Sequence, residues 1–313
     1  MLDLLRPPPH RGPLIASGVV LLAVGVGLIQ FRLESDLWHA VSAAALALLA
    51  LGIGLQTRSD QGAPYAFQSV LLVCGLLALA LALVRFGDVV GWDPVEERPA
   101  AVVASLVFGV VALTAAFTRE SAASLGLAAI AGVSALLNAW SWVFDPASAT
   151  PFRWLLLLCG AAYVLLALVL RGGRYRHSVQ LVGVAGLCVI AICLTFLGLG
   201  FLFGERAEVG AGWELVALVA GCGLIAFGAV DHQPGPALLG IALLALFVAM
   251  VGSEEDTLLG WPLVVLVLGT VVVLAGLRPR RPLPPEPTAY SASDLPLAAR
   301  SVPDASVTSV RVD

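Results

Sequence analysis

The sequence predicts an all-α fold, that of a polytopic helical membrane protein with about ten transmembrane helices arranged as five hairpins. Of its 313 residues, 59% are hydrophobic and only 12% are charged, whereas a soluble domain carries about 25% charged residues. The long apolar runs show no alternation of polar and apolar residues. Because the backbone inside a bilayer must satisfy its own hydrogen bonds, such runs form helices.

Ten segments of the chain are apolar enough to span a bilayer, which takes about 20 residues of helix. In chain order they are residues 13–31, 37–55, 65–86, 100–117, 122–144, 152–170, 178–203, 213–230, 236–251 and 258–277. The ninth is the shortest and requires local thinning of the bilayer, a small tilt or shelter between neighbouring helices. The transmembrane helical domain is therefore predicted over residues 13–278, after a cytoplasmic N-terminal segment of residues 1–12.

The arginines predict the orientation of these spans. With the N-terminus inside, ten arginines lie on inner segments and five on outer loops or outer span ends. The inner ten are Arg6, Arg11, Arg58, Arg119, Arg171, Arg174, Arg176, Arg278, Arg280 and Arg281, and the outer five are Arg32, Arg85, Arg98, Arg153 and Arg206. Because cytoplasmic loops carry the excess of positive charge, we expect a plasma (inner) membrane protein with both termini in the cytoplasm. All 17 cationic residues are Arg, a usage that suits a GC-rich bacterial genome.

Tryptophan recurs near the outer ends of even-numbered spans, at Trp38, Trp92, Trp154, Trp213 and Trp261. Indole rings prefer the level of the lipid head groups, so these residues predict an outer aromatic belt. The segments that begin at Trp154 and Trp261 match further, because arginines follow each tryptophan after 17 and 20 residues. Duplication of a helical hairpin and convergence on one interfacial pattern both explain this match.

Titratable side chains show no pattern of a catalytic or metal site. All 21 acidic residues lie in loops, in termini or, like Glu214, at the edge of a span, whereas ion-coupled transporters commonly keep such a group inside the membrane. The four histidines lie outside the spans or at their edges, with no second ligand at helical spacing. We therefore predict no catalytic residue, no metal and no cofactor. The net charge of -4 also argues against a nucleic-acid partner, since no basic face is present to bind phosphates.

Glycines within the eighth span predict close helix packing. The stretch "GCGLIAFG", residues 221–228, lies inside this span with no strand before it. A nucleotide-binding loop follows a strand, so we interpret these glycines as points where two helices approach closely.

The fifth span carries the strongest candidate for a binding site, in the stretch "SALLNAWSWVFD". Ser134, Asn138, Ser141 and Asp145 follow one another at intervals of four, three and four residues, so they share one helical face that leads to the outer surface. We call this face the polar lane. One interpretation is hydrogen bonding to a neighbouring helix, worth about 0.6 kcal/mol per contact. The other is a water-accessible cavity, open to the outside, in which Ser134 and Asn138 are the deepest polar groups.

The C-terminal segment, residues 279–313, is rich in Pro, Ser and Ala and cannot bury a core, so we predict a disordered cytoplasmic tail. Its "PLPPEP" stretch favours an extended polyproline conformation that a partner could bind. The arginines at its root are expected to contact anionic lipid head groups. The predicted partners are therefore membrane lipids and a protein that binds the helix faces or this tail.

Three classes of function fit this pattern to different degrees. A non-catalytic scaffold or accessory protein, without enzyme activity, explains a chain with short loops and no catalytic groups. A small-molecule or lipid transporter or exporter is the alternative, because ten spans in 313 residues with both ends inside is similar to the architecture of the drug/metabolite transporter superfamily. That superfamily implies two five-helix halves of opposite orientation, whereas the repetition here joins helices that run the same way. An intramembrane enzyme requires paired acids, a histidine cluster or an activated nucleophile, and the sequence shows none.

Overall fold

The structure is a computed structural model that describes residues 12–32, 35–56, 65–197 and 209–252. These residues form nine α-helices and no β-strand. The helices are α1 (Gly12–Arg32), α2 (Asp36–Gln56), α3 (Ala66–Val90), α4 (Arg98–Thr118), α5 (Ala122–Phe144), α6 (Thr150–Leu170), α7 (Tyr175–Leu197), α8 (Ala211–Val230) and α9 (Pro234–Gly252). The predicted all-helical fold class is confirmed for this part of the chain.

Eight of these helices, α2 to α9, are long and apolar enough to cross a bilayer. Helix α1 has 21 residues, and its apolar part covers Pro13–Leu28. Each of the nine helices coincides with one of the first nine predicted spans, and α5 has the predicted bounds. Helices of this length and composition indicate a multi-pass membrane protein.

Several predictions fall outside the described residues. They concern the tenth span (258–277), the N-terminal segment up to residue 11 and the tail (279–313). Helix α7 is described to Leu197, whereas the predicted seventh span continues to residue 203. The count of ten spans and their arrangement as five hairpins therefore stay predictions.

The helix ends follow local sequence signals. Helix α4 has Pro99 in its first turn, where the missing N–H loses no intrahelical bond. Helix α5 begins after Ser121, whose hydroxyl accepts a hydrogen bond from the backbone N–H of Ser124. Helix α3 ends before Gly91, which adopts a left-handed conformation with φ of 75°. Such stops keep the helices close to the length that spans a bilayer.

Consecutive helices pair throughout the described part of the chain. The most extensive helix–helix contacts join α2 with α3, α4 with α5, α6 with α7, and α8 with α9. Helix α7 also packs against α5, α8 and α9, and it is the most buried of the eight membrane-length helices. Helix α6 is the least buried of the eight. Helix α7 is therefore the central helix around which α5, α6, α8 and α9 are arranged.

All six described tryptophans lie near one end of the helix bundle, which we call the tryptophan end. They are Trp38, Trp92, Trp140, Trp142, Trp154 and Trp213. This end carries the α3–α4 and α5–α6 connections, which an ion pair between Arg98 and Asp145 joins. The opposite end carries the α6–α7 connection, where the Arg174 guanidinium lies 5.3 Å from the centre of the Phe117 ring at the end of α4. Tryptophans gathered at one level are typical of a membrane interface.

The described arginines do not share this asymmetry. Four lie at the tryptophan end, and four lie at the α6–α7 end. The first four are Arg32, Arg85, Arg98 and Arg153, and the second four are Arg119, Arg171, Arg174 and Arg176. The predicted excess of arginine on the inner side therefore depends on arginines outside the described residues.

Helices α8 and α9 approach each other at glycines, as the "GCGLIAFG" stretch predicted. A Cβ atom on Gly240 would lie 2.7 Å from the carbonyl oxygen of Gly221 and 2.9 Å from the backbone nitrogen of Ile225. A Cβ atom on Gly228 would lie 2.8 Å from the backbone nitrogen of Ala237. The interpretation as close-packing positions is confirmed for Gly221 and Gly228, whereas no atom lies within 4 Å of a Cβ placed at Gly223.

Candidate functional site

The deep part of the polar lane is hydrogen-bonded along the α4–α5 pair. The hydroxyl oxygen of Ser134 lies 3.2 Å from that of Ser105 in α4. The amide nitrogen of Asn138 donates to the carbonyl oxygen of Ser134, one turn back in α5, at 2.8 Å. It also lies 3.4 Å from the Ser134 hydroxyl oxygen. Both residues are half-buried. The Ser134 hydroxyl and the Asn138 amide nitrogen have hydrogen-bond partners within the α4–α5 pair.

The shallow part of the polar lane reaches the tryptophan end and also meets α4. Arg98, the first residue of α4, donates to the backbone carbonyl oxygen of Ser141 at 2.8 Å and forms an ion pair with Asp145. The Asp145 side chain is exposed, so this pair contributes less than about 1 kcal/mol and mainly aligns the two helix ends. The structure thus places all four predicted residues along the α4–α5 pair. Their role in binding a ligand stays a prediction.

An apolar cleft between α6 and α8, with α7 as its floor, is a feature that sequence reasoning did not predict. We call it the α6–α8 cleft. Its volume is about 580 Å³, within the range of small-molecule sites. Ala185 and Gly186 of α7 contribute to the floor, while Gly160 of α6 and Gly223 of α8 contribute to the walls. Gly223 leaves space open, because no atom lies within 4 Å of a Cβ placed there, whereas Gly186 packs against the Leu224 side chain.

Side chains bridge α6 and α8 at both ends of this cleft. At the tryptophan end, the ring centres of Trp154 and Trp213 lie 5.2 Å apart. At the α6–α7 end, one guanidinium nitrogen of Arg171 donates to both carboxylate oxygens of Asp231, at 2.8 and 3.0 Å. Because both contacts join equivalent ends, α6 and α8 run parallel. The two helices meet through these side chains and leave the cleft between them.

The α6–α8 cleft opens sideways, toward the region that bilayer hydrocarbon would occupy. Four of its residues are between 41% and 62% exposed and form its rim. They are Val164 and Leu168 of α6 and Leu215 and Val219 of α8. Among the described residues that line the cleft, Arg171 is the one with a charge, and Ser178 adds a hydroxyl near the same end. The cleft is thus an apolar groove with a cation at its α6–α7 end.

A buried arginine lies beside the Trp154–Trp213 pair. Arg153, in the first turn of α6, is only 7% exposed. Its Nε donates to the hydroxyl oxygen of Thr195 in α7 at 2.9 Å, and its guanidinium carbon lies 3.6 Å from the centre of the Phe196 ring. The Phe196 ring in turn lies 6.0 Å from the Trp213 ring. Arg153 therefore ties α6 to α7 through a hydrogen bond and a cation–π contact.

Sequence reasoning counted Arg153 as an outer span-end charge without recognising its burial. Pro151 marks the first turn of α6 and so places Arg153 within the helix, but its burial depends on contacts with α7 that the sequence does not show. Glu214, which was predicted at the edge of a span, is likewise in the first turn of α8 and only 3% exposed. The α6–α8 cleft has no comparable signal, because its lining residues come from three separate helices.

A separate polar network joins the first three helices at the tryptophan end. The Gln30 side chain donates to the backbone carbonyl oxygen of His39 at 3.1 Å and accepts a hydrogen bond from Arg85 at 3.2 Å. Arg85 also pairs with Asp88 at 3.3 Å, and these two residues line an open cleft of about 550 Å³. Within the described ranges, no three His, Cys, Asp or Glu side chains are grouped to hold a metal ion. The network serves to connect α1, α2 and α3.

Comparison of the chain with protein families, with characterised proteins and with solved structures finds no match. The candidate sites therefore rest on the geometry and chemistry of this chain alone. Of the two strongest, the polar lane is polar and internally bonded, and the α6–α8 cleft is apolar and open.

Proposed function

We propose that this chain is a non-catalytic, multi-pass membrane protein that acts as a scaffold or accessory to a partner. The partner would contact the helix faces or residues 279–313. The supporting observation is how the described spans use their polar groups: Ser134 bonds along the α4–α5 pair, and Arg153 donates to Thr195 of the next helix. Groups engaged in this way stabilise the bundle and are not available to relay protons or bind a soluble substrate.

Replacing Asn138 with Leu tests this assignment of the polar lane. The substitution removes the amide bond to Ser134 and changes no charge. Because this bond lies within α5, we expect the free energy of unfolding to fall by no more than about 0.6 kcal/mol, the average for hydrogen bonds between membrane helices. The measurement is unfolding in detergent, followed by circular dichroism.

Thiol labelling tests the alternative interpretation, in which the polar lane lines a water-filled cavity. Single cysteines at positions 134, 138 and 141, in a background without the native cysteines, should stay silent toward a small water-soluble reagent. Positions 136 and 139 serve as matched controls on other faces of α5. Labelling at the three lane positions with silence at the two controls would demonstrate a water-filled cavity. That result would refute the scaffold proposal and favour transport.

We further propose ten spans arranged as five hairpins, with residues 258–277 as the tenth span. The protein then lies in the plasma membrane of a bacterium with both termini in the cytoplasm. The excess of arginine on inner segments over the whole chain supports this orientation. In this orientation the tryptophan end faces outward.

Two exposed positions at opposite ends of the bundle test the orientation. Ser148 lies in the α5–α6 connection, and Gly173 lies in the α6–α7 connection. The variants are made in a chain without its native cysteines and labelled in intact cells. Ser148→Cys should react with a membrane-impermeant thiol reagent. Gly173→Cys should react only after permeabilisation. The reverse pattern would place the tryptophan end in the cytoplasm and refute the orientation.

A second candidate function is transport of a lipid or small molecule, and the α6–α8 cleft favours it. A transporter must carry its cargo between the two sides of the membrane, whereas an accessory protein needs only to hold it. Flux of a labelled lipid between the leaflets of vesicles that contain the purified chain would establish transport. The absence of flux, combined with lipid binding, would favour an accessory role.

A further inference from the structure

We propose that the α6–α8 cleft binds one acyl chain of an anionic glycerophospholipid, with the lipid head group at the α6–α7 end beside Arg171. The scaffold role does not require this site, so the proposal stands apart from it. Four properties of the cleft support the assignment: its length, its lining, its charge and the closeness of its two walls.

The length of the cleft matches an acyl chain that lies parallel to the helices. Its lining on α6 runs from Leu157 to Arg171, fourteen residues further along, which is about 21 Å at the helical rise of 1.5 Å. One leaflet of the hydrocarbon core is about 15 Å thick, half of the full core. A chain that fills its leaflet therefore fits along the cleft. The sideways opening lets it enter directly from the bilayer.

The lining selects an apolar occupant. Within the described part of the chain, the residues that line the cleft carry apolar side chains or none, apart from Arg171 and Ser178 at one end. A polar molecule placed there would exchange its hydrogen bonds with water for none, which is unfavourable. An acyl chain loses nothing on leaving the surrounding lipid, and it gains close contacts with the floor at Ala185 and Gly186.

The charge at the mouth of the cleft selects an anionic head group. Arg171, Arg174 and Arg176 follow one another closely at the α6–α7 connection, and all three are exposed. Asp231 neutralises Arg171 in part, through the ion pair across the cleft. Arg174, which lies over Phe117 of α4, and Arg176 add positive charge to the same end of the bundle, and arginines at the end of a membrane helix attract anionic lipids. A zwitterionic head group would gain less from this position.

The two walls are too close for a helix between them. Inserting a helix between α6 and α8 would require their axes to lie about 16 to 20 Å apart, twice the usual spacing. The Trp154–Trp213 contact and the Arg171–Asp231 ion pair instead bring α6 and α8 together at both ends. A single acyl chain is thin enough to fit in the remaining space.

The test measures lipid binding to the purified full chain. Delipidated protein in detergent is mixed with equal amounts of dioleoyl phosphatidylglycerol and dioleoyl phosphatidylcholine, and native mass spectrometry counts the bound lipids. We expect one retained lipid per chain, with phosphatidylglycerol enriched about five-fold, the factor that one arginine near the surface contributes. Gly223→Leu should abolish this adduct, because the new side chain fills the cleft.

Matched variants separate the cleft from other effects. No atom lies within 4 Å of a Cβ placed at Gly223 or at Gly212 of the same helix, and Gly212 is outside the cleft, so Gly212→Leu should retain the lipid. Asp231→Asn removes the counter-charge of Arg171 and should increase the preference for phosphatidylglycerol. The double variant Arg171→Gln with Asp231→Asn should keep the lipid and lose that preference. If Gly223→Leu fails to fold, Ala161→Leu fills the cleft from α6.

Three results would overturn the proposal. The first is equal phosphatidylglycerol binding by the wild-type chain and the cleft-filling variants. The second is displacement of the lipid by glycerol 3-phosphate, since a soluble phosphate ester would then be the ligand. The third is new protease cleavage within residues 258–277 of Gly223→Leu, because the cleft would then belong to that segment of the chain.

Discussion

We expect Gly240→Ala to lower the free energy of unfolding by about 1 to 3 kcal/mol, the usual effect of overpacking a close contact. The added Cβ atom would lie 2.7 Å from the carbonyl oxygen of Gly221 and 2.9 Å from the backbone nitrogen of Ile225. Both are backbone atoms that cannot rotate away, so α8 and α9 must separate along their length. Unfolding of the purified protein in detergent measures the loss.

Gly223→Ala is the matched control for this effect. Gly223 lies in the interior of α8, two residues after Gly221, and no atom lies within 4 Å of a Cβ placed there. Alanine is favoured over glycine in a helix by up to about 1 kcal/mol, so this variant should be as stable as the wild type or more stable. Equal stability of Gly240→Ala and Gly223→Ala would show that α8 and α9 do not approach as closely as described.

Thr195→Val is expected to lower the free energy of unfolding by about 1.5 to 3 kcal/mol, as the loss of a hydrogen bond to a charged group does. The Thr195 hydroxyl donates to the carbonyl oxygen of Ile192 at 2.7 Å and accepts from Nε of Arg153 at 2.9 Å. Valine has nearly the same shape but offers no acceptor. The buried guanidinium of Arg153 would then lose a partner that water cannot easily replace.

Two variants isolate this effect from a general loss of packing. Thr195→Ser keeps the hydroxyl and should restore most of the lost stability. Thr114→Val removes a hydroxyl that is exposed and bonds only to the carbonyl oxygen of Val110 in its own helix, so its effect should stay within about 0.5 kcal/mol. A comparable loss in Thr195→Val and Thr114→Val would mean that Arg153 does not depend on Thr195.

The positions of the helices could be predicted from the sequence because lipid imposes a simple rule. A segment that crosses the hydrocarbon must be apolar over about 20 residues, and its ends are marked by charge, proline or glycine. The predicted bounds of α5 are those of the structure. For α9, the shortest of the predicted spans, a helix of 19 residues is present.

The contacts between helices could not be predicted in the same way. In a membrane, the side that faces lipid and the side that faces a neighbour are both apolar, so hydrophobicity does not distinguish them. Leu71 and Leu72 of α3 are fully buried, whereas Leu48 of α2 is 75% exposed. Nothing about leucine itself separates these positions. The α6–α8 cleft, which three helices form together, was invisible to sequence reasoning for this reason.

The polar lane shows an intermediate case. Helical spacing placed Ser134, Asn138, Ser141 and Asp145 on one face, and the structure locates these residues along the α4–α5 pair. The partners of this face were not predicted. Ser105 is an isolated serine in an apolar span, and Arg98 was assigned to an outer loop or span end. Periodicity therefore identifies a face, while the neighbour opposite that face depends on tertiary structure.

The pairing of consecutive helices has a consequence for how the chain is made. Each close pair consists of a helix and the next helix to leave the ribosome, joined in α6–α7 by residues 171–174 and in α8–α9 by residues 231–233. Insertion can therefore proceed two helices at a time, since local contacts form without waiting for distant sequence. Helix α7 completes its contacts later, because α8 and α9 follow it in the chain and end at residues 230 and 252. A nascent chain halted after α7 would hold three completed pairs and leave one face of its central helix to the lipid or to the insertion machinery.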